Sequence, residues 1–169
     1  MRLSKRGEYA LRALIDLGLA EAQGRPLVQL SELAEKERLP GKFLEQIFIQ
    51  LREAKLIDAR RGKGGGYFLA KPTAKIRIGD VVRMIDGPLA PISCASQTAY
   101  ERCSCPDEEH CGLRMLMLDV RNAIARILDN YTLADVVEVT MRKMKRNHIA
   151  PLFAFLEKPA PARRKIARP

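Results

Sequence analysis

Cys94, Cys103, Cys105 and Cys111 are the only cysteines in 169 residues, and all four fall within eighteen positions. Thiolate sulfur is a soft donor that suits iron–sulfur clusters and zinc, and a free thiol is also the group that redox chemistry acts on. A structural zinc site usually uses C-x2-C pairs, so C-x8-C-x-C-x5-C is a poor match to it. The chain has no C-x-x-C redox motif, no nucleophile elbow and no P-loop. Only His110 and His148 exist to serve as imidazole bases. Catalysis is therefore not expected, and the cysteines read as a metal-cluster site or as thiol switches.

No apolar run approaches the roughly 18–20 residues that span a bilayer. The opening MRLSKRGEY lacks the apolar stretch of a signal peptide. A cytoplasmic protein with no membrane partner is expected, and in that compartment clustered cysteines more often bind metal or sense redox than form disulfides.

The elements that must position these cysteines are mostly helical. Leu, Ile, Val, Met and Ala are plentiful, Trp is absent and aromatics make up 5% of the chain. Residues 2–22 place Tyr9, Leu11, Leu14, Ile15, Leu17 and Leu19 at helical spacing, with Ser4 as N-cap. Lys5 and Arg6 oppose the helix dipole there, a balance that a nearby phosphate would reverse. Residues 28–39 read as a short second helix capped by Ser31. After Leu39-Pro40-Gly41, residues 42–56 read as a third, with Phe43, Leu44, Ile47, Phe48, Leu51 and Leu56 on its apolar face. Two helices joined by such a turn fit helix-turn-helix geometry. Lys42, Glu45, Gln46, Gln50 and Arg52 carry side chains suited to phosphates and base edges, with Glu45 and Gln46 expected nearest the bases.

Residues 56–70 then place two strand-like runs around a tip of glycines and cations, which is a β-hairpin. Arg60, Arg61 and Lys63 offer that tip's charge to phosphate or to the minor groove. Helix, turn, helix and basic hairpin in this order make a winged helix, expected to bind double-stranded DNA. Ile78, Val81, Val82 and Ile85 form a short helix that packs back on this head. Past Cys111, the run Leu113, Leu116, Met117, Val120, Ile124, Ile127, Leu128 and Tyr131 is read as one narrow apolar stripe on a long helix, suited to pairing with a second copy. Thr132 caps a last helix to Arg146, basic at Arg142, Lys143, Lys145 and Arg146.

Charge follows the same division. Residues 1–75 hold 15 Lys and Arg against 9 acids, 76–141 hold 6 against 10, and 142–169 hold 9 against 1. A basic head and tail around an acidic middle fits a polyanionic partner. The expected fold class is mainly α: a winged helix-turn-helix domain with a long C-terminal dimerisation helix. The expected divisions are a DNA-binding domain over 1–87, a cysteine-rich loop over 88–112, dimerisation helices over 113–147 and a basic, disordered tail over 148–169.

These pieces together resemble the Rrf-two (Rrf2) family of bacterial winged-helix regulators. The resembling segments are MRLSKRGEYALRAL, FLEQIFIQLREAKLIDARRGKGGGYFLAKP, IGDVVRMIDGPLAPISC, the C-x5-C-G-L pattern at Cys105 and Cys111, and TLADVV. The resemblance implies a homodimer on an imperfect palindromic operator, with the third helix in the major groove, the hairpin at the minor groove and the long helix as dimer interface. It also implies an iron–sulfur cluster, two-iron or four-iron, held by three cysteines and a fourth ligand that differs between members. Cys105 and Cys111 match the last two ligand cysteines, and Cys94 matches the first. The implied signal is cluster status, iron, nitric oxide or redox state.

The chain departs from this pattern in two respects. Cys103 is an extra thiol inside the first interval. Arg114 stands where members that regulate iron–sulfur assembly have a histidine ligand, and a permanently cationic guanidinium cannot ligate iron. Candidates for the fourth ligand are Glu8, Cys103 and His110. Glu8 occupies the position of an acidic ligand in nitric-oxide-sensing members, whereas Cys103 and His110 crowd their neighbouring cysteines. The other reading of Glu8 is a solvated helix residue paired with Arg12. The alternative to a cluster is a thiol-switch or zinc-binding regulator with the same DNA-binding domain.

Overall fold

A computed structural model describes residues 3–149; the tail expectation lies almost wholly outside these residues. The head opens with α1 (Lys5–Ala22), capped as its sequence requires: Ser4 Oγ accepts from the Gly7 N–H at 3.0 Å. The same Ser4 is tied to the far end of the head. Its N–H and hydroxyl donate to the two carboxylate oxygens of Asp86, at 2.9 and 2.5 Å.

Helix α2 (Leu30–Glu37) is shorter than expected, and its N-cap is Gln29 rather than Ser31. The cause lies outside the helix. Val28 exchanges backbone hydrogen bonds with Tyr67 at 3.0 and 2.8 Å, so it is held extended and helical winding starts beyond it. Glu32 accepts from the Gln29 N–H at 3.0 Å and serves the new start. Helix α3 (Gly41–Glu53) also ends earlier than expected, because Lys55 takes a left-handed conformation (φ 55°) that turns the chain into the hairpin.

The hairpin pairs β1 (Ile57–Arg60) antiparallel to β2 (Gly66–Leu69), with Ile57 opposite Leu69 and Arg60 opposite Gly66. Its base lies hard against the α1–α2 connection. A Cβ at Gly66 would stand 2.7 Å from the Val28 carbonyl oxygen, so only glycine permits this approach. Tyr67 packs edge-on to Phe48 of α3, with ring centroids 4.6 Å apart. Leu14, Leu17, Leu33, Leu44, Ile47, Phe48, Leu51 and Ile57 are fully buried between these elements.

Helix α4 (Ile78–Asp86) follows, then the cysteine segment, α5 (Gly112–Asn130) and α6 (Leu133–Arg146). Thr132 caps α6, as the sequence predicts, and Asp135 reciprocates by accepting from the Thr132 N–H. Leu133 and Val137 of α6 are buried in the core of the head, and the Leu133 N–H donates to the Ile76 carbonyl at 2.8 Å. The α5 stripe divides into two faces. Ile124, Ala125 and Leu128 pack against Ile78, Val82 and Leu89, while Leu113, Leu116, Val120 and Ile127 are exposed. The spacing of apolar residues was real, but it served two adjoining surfaces rather than one seam. Arg83 of α4 fixes the first surface through a two-pronged pair with Asp129, both contacts 2.7 Å. Among the described residues no helix is long and apolar enough to cross a membrane.

Candidate metal centre and nucleic-acid interface

Between α4 and α5 the chain forms no regular structure beyond one 3-10 turn, Ser93–Ala95. Apolar burial holds its first part: Leu89 is packed against α4 and α5, and Cys94 and Ala95 are buried. Polar contacts hold the rest. The Arg114 Nε–H donates to the Cys94 carbonyl at 3.0 Å, and the same nitrogen lies 3.2 Å from Glu108 Oε1. Tyr100 donates its hydroxyl to that Glu108 oxygen at 2.7 Å, which raises the phenol above its ordinary pKa. A guanidinium, a carboxylate and a phenol thus tie the start of the segment to the first turn of α5.

Inside this tie the four thiols lie in succession. Burial pushes the Cys94 thiol up, and the neighbouring Cys103 thiol pushes it further. Cys105 is pushed up to about 11, first by its hydrogen bond with Cys103 and then by burial and Cys111. Cys103 thus acts on both Cys94 and Cys105, and Cys111 on Cys105. Among the described residues no group of three or more His, Cys, Asp and Glu side chains converges on one metal ion. Four thiols in one short segment fit an iron–sulfur cluster in the chemistry of their donors.

The other candidate ligands are placed differently. His110 is mostly in solvent, its Nδ1 2.9 Å from Asp107. Glu8 accepts from Lys5 Nζ at 2.8 Å and lies 3.5 Å from Arg12. The Lys5 hydrogen bond, above all, holds its carboxyl below the usual carboxylate range. Glu8 heads a line of charges running along α1 and across to α2: Arg12 also pairs with Glu37, and Lys36 pairs with both Glu37 and the buried Asp16.

In the head, α3 turns Lys42, Glu45, Gln46 and Arg52 outward, together with an exposed Ile49 that sequence reasoning passed over. Gln50 differs, being half-buried with an Oε1 that has no partner among the described residues. Arg52 lies 3.5 Å from Asp58 at the base of the hairpin. Arg60, Arg61 and Lys63 are exposed at the hairpin's end. Lys5 is also exposed, beside Glu8 and over the Tyr9 ring. Sequence reasoning likewise missed Tyr100 and Glu108 and read Arg114 only as a residue that cannot bind iron; the sole available signal was an Arg three residues past the last cysteine.

A helix-turn-helix with a basic hairpin at its side and a thiol-rich segment behind it defines a winged-helix transcription regulator. Residues 3–139 match the Rrf2 family model, described as an iron-dependent transcriptional regulator, and the chain belongs to that family. It is 35% identical over 137 residues to the rrf2-like HTH-type transcriptional regulator of Rhodobacter capsulatus, covering 80% of this chain and 91% of that one. The fold matches CymR, the global cysteine regulator of B. subtilis, with TM-score 0.69 and 29% identity over 82% of this chain and 98% of that one. It also matches T. potens IscR, with TM-score 0.63 and 28% identity over 83% and 88% of the two chains. The chain is a DNA-binding transcriptional regulator of this family.

Proposed function

We infer that the chain acts as a homodimer on a palindromic operator and that an iron–sulfur cluster on Cys94, Cys105 and Cys111 sets its affinity for DNA. The observation that carries this reading is a segment that holds all four cysteines within eighteen positions and leads directly into α5, whose first turn clasps the Cys94 carbonyl through Arg114. A regulator named IscR among the solved relatives supports it. When bound, the cluster would supply the response to cluster supply, iron, nitric oxide or redox state. The chain's own residues do the rest. Cys94 is fixed by burial and by Arg114, while Cys111 caps the start of α5. Glu8 is the proposed fourth ligand, reaching the site across the dimer and giving up Lys5 and Arg12 to do so. Cys103 is the local alternative, supported by its influence on both Cys94 and Cys105; His110, facing solvent beside Asp107, has less support.

At the DNA, α3 offers Glu45 and Gln46 to base edges and Ile49 to a thymine methyl, the usual apolar feature of the major groove. Lys5, Lys42, Arg52, Arg60, Arg61 and Lys63 meet phosphates or the minor groove, and Gln50 serves from the inner edge of the same helix.

Protein purified without oxygen should contain iron and acid-labile sulfide and show visible charge-transfer absorption. Absence of all three would sink the cluster. Spectra of Glu8→Ala beside Cys103→Ala then assign the fourth ligand: a changed signal in the first supports Glu8, and a change only in the second supports Cys103. The second reading, a thiol switch, is favoured by the direct neighbourhood of Cys103 to Cys94 and Cys105. Joining two of these sulfurs would release two protons and two electrons to an oxidant such as peroxide. A metal-free protein that loses two thiols on peroxide treatment would support it.

A further inference from the structure

The four-thiol segment has almost no regular structure, yet its two ends are held together by side chains that no metal chemistry requires. Arg114 stands one turn into α5 and donates to the carbonyl of Cys94, twenty residues earlier. Glu108, with its side chain only 17% exposed, lies against the same guanidinium and accepts from Tyr100. The contacts therefore bracket all four cysteines, from Cys94 at one end to the residue three past Cys111 at the other.

We propose that Arg114 is the positioning residue of the cysteine segment: it latches the segment shut through the Cys94 carbonyl and Glu108. The latch belongs to the cluster-free chain and stands apart from the proposed cluster. A guanidinium keeps its charge at every physiological pH and offers several donors, so it can hold a carbonyl and a carboxylate at once and order Cys94 before any metal arrives.

The test uses the full-length protein. In the reduced, cluster-free chain, iodoacetamide labelling followed by mass spectrometry should find Cys94 the slowest of the four cysteines. Loss of one charge-assisted hydrogen bond should make Cys94 labelling in Arg114→Ala roughly tenfold faster or more, by easier local opening. Tyr100→Phe removes a single exposed hydroxyl, keeps the head intact and should shift labelling the same way by less. Wild-type labelling rates at Cys94 in both Arg114→Ala and Tyr100→Phe would overturn the latch. A wild-type protein that never takes up iron would instead refute the proposed function, and the labelling result would still decide the latch.

Discussion

Arg61 lies exposed beside the turn of the hairpin, where a side chain gains little from the fold and much from an anion. Replacing it with Ala should leave stability within about 0.5 kcal/mol, since exposed positions away from caps and cores rarely do more. Removing one phosphate contact should reduce the log–log salt slope of operator binding by about 0.9, and titrations at several salt concentrations measure this. An unchanged slope and affinity would take Arg61 off the DNA. Asp16 makes a different prediction at the same scale. Burial pushes its carboxyl from 3.8 up to about 7 despite the Lys36 ammonium, and its Oδ2 has no partner among the described residues. Between those two values the folded chain holds a proton that the unfolded chain has released, so this group's contribution to stability falls as pH rises from about 4 to about 7. In Asp16→Asn the contribution is gone. Denaturant melts across that range should show wild type losing stability relative to the variant as pH rises, and a constant difference would refute the assignment. Single residues were legible in the sequence only where their chemistry was unusual. The cysteines and the wing cations announced themselves. Asp16 did not, because one acid on an apolar helix looks like any solvated acid until its neighbours are known.

Elements were legible where their signals were local. The Ser4 and Thr132 caps, the hairpin and α4 need only a few consecutive residues to specify them. The start of α2 was misread because Val28 is claimed by Tyr67, thirty-nine positions away, and local propensity carries no trace of that. The two faces of α5 were merged for a related reason: helical spacing counts apolar positions but does not say which neighbour each one meets. The joint between α4 and α5 offers a test at this scale. Gly79 lets α5 come close enough for Asp129 to reach Arg83, and a Cβ at Gly79 would collide with the Asp129 carboxylate. Gly79→Ala should therefore destabilise the protein by about 1–3 kcal/mol, as overpacking at a tight contact does, despite the better helix propensity of alanine. A thermal melt decides it; an equal or higher midpoint would mean that the joint yields at no cost.

For the whole molecule, the exposed row Leu113, Leu116, Val120 and Ile127 is the part of α5 left over after the head is covered. In the proposed homodimer we assign this row to the second copy. Leu116→Glu with Ile127→Glu should yield a folded monomer by sedimentation, with operator affinity lowered at least tenfold because the two half-sites are no longer read together. A dimer that survives both changes would move the interface elsewhere. The head's stability does not depend on that outcome, since its core is complete within one chain, with Leu133 and Val137 of α6 returning to it. The cysteine segment stands outside that core. Apart from Leu89, Cys94 and Ala95 it is secured by surface polar groups, whose loss costs far less than unfolding a packed core. Two clocks follow from this. The segment can open and close many times within one lifetime of the folded head, so its sulfurs can be filled, emptied and filled again while the same molecule remains in service.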